Sequence, residues 1–103
     1  MLSAPYAPPN APPAIRYVHF SASHVRSGQL WTGDFVTTTN VASLVLTMPF
    51  FSFEIPRQSF GRFAFRTRIL AIPALYRQTL YGELSAYSAN GTHVDVPVEV
   101  TFE

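Results

Sequence analysis

The chain has 103 residues with net charge +1; 48% are hydrophobic and 13% charged, with nine Phe, five Tyr, one Trp and no Cys. That length and apolar content suit one domain with its own core and exclude a disordered chain, while the missing cysteines exclude disulfides, thiolate catalysis and cysteine-ligated zinc. The near-zero charge argues against a nucleic-acid binder held by a broad basic field, and no run of about 18 apolar residues is present to span a membrane.

Residues 1–14 contain Pro5, Pro8, Pro9, Pro12 and Pro13. Proline fixes φ and removes a donor, so this segment is predicted to be an extended, polyproline-like arm that joins no central strand. The composition reads first as an inter-domain linker. Two sharper alternatives are a ligand for a proline-binding groove and an arm that docks on a neighbouring copy. The N-terminus lacks a basic region followed by an apolar one, so a signal peptide is not expected. The chain is then cytoplasmic, a mature product, or a module excised from a longer protein.

From residue 15 to 103 the pattern is short strands divided by turn signals. Residues 15–23 form the first, with Val18 and Phe20 on an apolar face. Arg26-Ser27-Gly28-Gln29 reads as a turn. Residues 30–38 follow, with Trp31, Gly33 and Phe35 on one side. Residues 41–48 make the third strand, ended by Pro49, and residues 51–55 a short fourth, closed by Pro56. Residues 57–61 are expected to be a connecting turn. In residues 62–70, Phe63, Phe65, Thr67 and Ile69 share one face, and Arg62, Ala64, Arg66 and Arg68 the other; this period of two excludes a helix. Residues 71–78 look like a corner loop. Residues 79–88 turn Leu80, Gly82, Leu84 and Ala86 inward. Asn90-Gly91 then fits a tight type I′ hairpin turn. In residues 93–103, Val94, Val96, Val98, Val100 and Phe102 alternate with Asp95, Pro97, Glu99, Thr101 and Glu103. Pro97 requires an edge strand, or a missing N–H that faces solvent.

About seven alternating strands closing on a hairpin predict an all-β, two-sheet antiparallel sandwich. Several segments resemble bacterial immunoglobulin-like or fibronectin type III-like modules: Val25 to Gln29 their first turn, Gly61 to Phe65 their fifth strand, Leu80 to Gly91 their penultimate strand and last turn, and Asp95 to Phe102 their closing strand. The resemblance covers everything after the arm. The chain departs from antibody domains in lacking the disulfide and the mid-domain Trp behind it; Trp31 sits in the second strand, as in fibronectin-like modules. The resemblance implies a spacer, adhesion unit or filament subunit, extracellular or at a cell surface as part of a larger protein.

The residues offer no catalytic set. His19, His24 and His93 do not have zinc-site spacing and read as surface or turn residues. The acids Asp34, Glu54, Glu83, Asp95, Glu99 and Glu103 form no calcium loop, and phosphate loops and nucleophile elbows are missing. No cofactor or metal is expected, and the chain reads as a non-enzyme.

Two surface features are candidate binding sites. All seven basic residues are Arg, through codon usage or a preference for planar, weakly hydrated cations. Alternation puts Arg62, Arg66 and Arg68 on one outer face, as a patch for an acidic partner or as a solvated face paired with Glu83 or Asp34. Tyr81 and Tyr87 share an outer face and suit a glycan or a protein, or simply pack on the sheet. Asn90-Gly91-Thr92 matches a glycosylation sequon, but turn chemistry accounts for it. Phe50, Phe51, Phe53, Ile55 and Phe60 are core, or in part an association patch. Three functions follow: a structural or adhesion module engaging protein partners or itself, a carbohydrate-binding module using Tyr81, Tyr87 and the arginine row, or an accessory domain packed on an enzyme.

Overall fold

The alternation read along the chain becomes nine strands in the computed structural model, which describes residues 4–49, 51–69 and 77–103. They are β1 (Ile15–Phe20), β2 (His24–Val25), β3 (Leu30–Thr37), β4 (Val41–Met48), β5 (Phe51–Ile55), β6 (Arg57–Ser59), β7 (Arg62–Arg68), β8 (Thr79–Ser88) and β9 (His93–Phe102). There is no helix among the described residues. One sheet has the order β1-β3-β7-β6 and the other β2-β9-β8-β4-β5. Their inner faces meet in a single hydrophobic cluster, an all-β, two-sheet arrangement compatible with a sandwich.

Nine strands replace the expected seven because the chain twice leaves the edge of one sheet for the edge of the other. The expected strand 15–23 breaks after Phe20, where Ser21 still accepts from and donates to Thr32. The chain then crosses, and β2 pairs with the end of β9. That pairing is parallel, so the expectation of a wholly antiparallel fold is corrected. The second crossing is at Pro56, which lacks the N–H to continue β5. Residues 57–59, expected as part of a turn, form β6 against β7. The residue 71–78 corner and Phe50 lie almost wholly outside the described residues.

The core is built around aromatic rings. Phe65 packs against Trp31 at 5.0 Å, Phe53 at 5.4 Å, and Phe20 and Phe35 at 6.1 Å. Phe53 belongs to the five-stranded sheet, so Phe65 joins the two layers. The Trp31 indole donates to the Ala22 carbonyl at 3.0 Å, which gives this amphipathic ring a polar partner. Trp31, Phe35, Leu44, Leu46, Phe63, Phe65 and Leu84 are buried, whereas Val96 and Val98 are only half-buried. The reason is topological: β2 covers β9 only at Thr101 and Phe102. The amides of Thr101 and Glu103 donate toward β2 and that of Phe102 toward β8. By alternation the Pro97 nitrogen faces the open edge, where no ladder bond is lost.

The β8–β9 hairpin differs from the type I′ turn expected. Gly91 N–H donates to the Ser88 carbonyl and Ser88 N–H to the Thr92 carbonyl. Gly91 has φ of 89°, whereas Asn90 is not in the left-handed region. This is a type I turn followed by a left-handed glycine, the three-residue hairpin. The Asn90 side chain is occupied within it, accepting from Ser88 and Thr92.

The proline arm lies along the β3–β4 turn of its own domain. Thr39 N–H donates to the Pro5 carbonyl and Thr38 N–H to that of Ala14. The Thr39 and Thr38 hydroxyls accept from the amides of Ala7 and Ala14, and the Asn40 amide donates to the Ala11 carbonyl at 2.7 Å. Pro13 is buried.

Candidate binding surfaces

The outer face of the four-stranded sheet carries the arginine row. Cross-strand register puts Val36 opposite Arg62, Asp34 opposite Ala64, Thr32 opposite Arg66 and Leu30 opposite Arg68. Arg66 and Arg68 are exposed. Arg68 donates to the Gly28 carbonyl at 3.1 Å, and Arg66 has no hydrogen-bond or ion-pair partner among the described residues. The expected pairing of this row with Glu83 is corrected, because Glu83 sits in β8, in the other sheet. Beside Arg62 the small Ala64 leaves a shallow trough of about 560 Å³ edged by Tyr17, Asp34, Val36, Gln58 and Arg62. Tyr17, Asp34 and Gln58 come from three other strands, which no local pattern could assign to this trough.

Tyr81 and Tyr87 stand on the opposite face of the molecule. Tyr81 is 68% exposed, beside Glu99 across the β8–β9 ladder and two residues from Glu83. Tyr87 is 36% exposed and packs on His93 at 5.2 Å. The five candidate residues therefore form two separate surfaces, and no one small ligand touches both. Alternation along a strand tells inside from outside but not which sheet owns the strand.

Next to the tyrosines, Asp95 accepts from the Ser85 hydroxyl at 2.6 Å and lies 3.2 Å from His93 Nδ1. The Ser85 hydrogen bond, helped by His93 and opposed by desolvation, holds the carboxyl below its ordinary value of 3.8. A depressed carboxyl adds stability above its unfolded value, and that stability is lost as pH falls through the lower folded value. Ser85→Ala is therefore expected to destabilise the protein near neutral pH, with the gap to the parent narrowing below pH 3.8. Urea melts at both pH values test this; a gap independent of pH would remove Asp95 from the account.

Two further clusters lie at the ends of the sheets. Phe60 is 69% exposed under the Arg57 guanidinium, 4.9 Å from the ring centroid. Tyr6 and Pro9 of the arm line a hollow together with Phe60. Elsewhere, Glu103 accepts from His24 at 3.0 Å and Arg26 at 3.4 Å, in an exposed group. Among the described residues no three His, Cys, Asp or Glu side chains are placed to hold a metal ion. The sequence matches no protein-family model and no curated protein.

Proposed function

We propose that this chain is a non-catalytic, immunoglobulin-like structural or adhesion module. It is one unit of a larger surface protein or repeating assembly, and it acts through protein contacts made by its outer sheet faces. The observation that carries this reading is the strand order. Taking β1, β3, β7 and β6 as A, B, E and D, and β9, β8, β4 and β5 as G, F, C and C′, supports the reading, because those orders are the ones an immunoglobulin-like sandwich would have. The short parallel pairing of β2 with β9 extends the first strand onto the second sheet. Such a frame presents broad sheet faces, and here those faces carry the exposed arginines and tyrosines.

The exposure of Tyr81 favours a second reading, a carbohydrate-binding module in which a sugar ring stacks on the tyrosine and bonds to Glu99 or Glu83. Titration with neutral and sulfated oligosaccharides, followed by tyrosine fluorescence, separates the two. The module reading expects no saturable change. Saturable binding abolished by Tyr81→Ala would replace it with the carbohydrate reading.

A further inference from the structure

The charged residues are segregated by sheet. The five-stranded sheet holds four of the chain's six acids, Glu54, Glu83, Asp95 and Glu99, and no arginine. The four-stranded sheet holds five of the seven arginines and a single acid, Asp34. Glu83, Asp95 and Glu99 alternate with inward residues along β8 and β9, so their side chains stand on one outer face, while Glu54, on the edge strand β5, lines a hollow together with Ala64 and Arg66. Arg62, Arg66 and Arg68 stand on the opposite outer face by the same rule. The net charge of +1 conceals this polarity and leaves little overall repulsion between copies.

Resting on the module reading, we propose that the partner of each face is the opposite face of a second copy of this chain. Charge complementarity is joined by a projection on one face and a hollow on the other. On the acidic face the projecting group is Tyr81, flanked by Glu83 two residues along the strand and by Glu99 across the ladder. On the basic face the hollow lies over Ala64, with Arg62 and Arg66 two residues to either side. Neighbouring strands lie about 4.8 Å apart and alternate residues about 6.6 Å apart, so Glu83 and Glu99 make a corner at Tyr81, whereas Arg62 and Arg66 lie in line about 13 Å apart on either side of Ala64, a difference that the long arginine side chains can bridge. Seating Tyr81 in the trough brings Glu83 and Glu99 within reach of the arginines. Asp34, the one acid in the strands of the four-stranded sheet, lies opposite Ala64 and serves as acceptor for the tyrosine hydroxyl. Because the two faces belong to opposite sheets, each copy gives one and receives one. The contact is heterologous, and repetition produces an open row of modules rather than a closed dimer.

Sedimentation velocity of the full chain, over a range of concentration at low and high salt, tests this. Weight-average mass is expected to rise past that of a dimer with concentration and to fall back toward the monomer at high salt. R66E and E83R alter exposed positions and are each expected to give monomers that melt at the parent temperature. An equimolar mixture of R66E and E83R is expected to associate again, because the intact acidic face of one meets the intact basic face of the other. A parent chain that stays monomeric at low salt, or a mixture that does not associate, overturns the inference. Either result leaves the module reading to its own oligosaccharide titration.

Discussion

Replacing Phe65 with alanine is expected to lower the unfolding free energy by about 3–5 kcal/mol, the range for a large aromatic lost from a core. Four aromatic rings lose a neighbour at once: Trp31, Phe53, Phe20 and Phe35. The hole does not close easily, because the floor beneath the ring is Gly33, which has no side chain to expand into it. A Cβ built there would overlap Phe65 and stand 2.8 Å from Phe35 Cζ. Against a total stability of about 5–15 kcal/mol, the loss is a large fraction. Urea denaturation read by Trp31 fluorescence measures it, since Trp31 packs directly on the deleted ring. A cycle with Phe53→Ala isolates the contact between layers. The edge-on geometry of that pair, at 5.4 Å between centroids, leads to an expected coupling of about 0.5–1.5 kcal/mol. A loss below about 1 kcal/mol for Phe65→Ala alone would mean that β7 does not turn this ring into the core.

That Phe65 is inward was legible from alternation in residues 62–70, where the phenylalanines occupy every second position. That it joins two sheets was not, because Phe53 lies twelve residues earlier in a strand whose sheet the pattern does not state. The same limit explains the strands that were missed. β2 has two residues and β6 three, too short for any period to show; both exist because an edge elsewhere was open to receive them. Pro97 could be placed at an edge from its missing donor alone, since that constraint is carried by one residue. The hairpin turn lay at the opposite extreme. Asn90-Gly91 suits either of two turn types, and the choice falls to Ser88 and Thr92, which engage the Asn90 side chain and hold it short of the left-handed region.

The candidate surfaces divide in the same way. Strand period placed Arg62, Arg66, Arg68, Tyr81 and Tyr87 outside, and all but the half-buried Arg62 are exposed. Their separation onto opposite faces depends on the β3–β7 and β8–β9 ladders, which are long-range. Neither the trough over Ala64 nor the sorting of acids from arginines has a local signature. Each charged strand looks unremarkable until the sheet order places β5, β8 and β9 together.

Gly82 tests that sheet order directly. It lies on the inward side of β8 beside the end of β4, where Thr47 pairs with Glu83. A Cβ at Gly82 would fall well inside contact distance of the Thr47 carbonyl oxygen and Met48 Sδ, and 3.2 Å from Met48 Cα. The carbonyl is backbone and has no rotamer to escape into, so β4 and β8 must separate. Gly82→Ala is expected to cost about 1–3 kcal/mol, as overpacking does. The substitution also narrows the unfolded ensemble, a gain of about 0.4–1 kcal/mol where the native site accepts the methyl, and here the overlap outweighs it. Because Met48 is buried and contributes one of the two overlaps, Met48→Ala should reduce the cost of Gly82→Ala when the two are combined. The carbonyl overlap stays and should keep the remainder unfavourable. Gly28→Ala separates this mechanism from backbone strain: Gly28 has φ of 82° and nothing within 4 Å of an added Cβ, so its cost should be insensitive to Met48. A neutral or stabilising Gly82→Ala, with no coupling to Met48, would mean that β4 and β8 do not meet at this register.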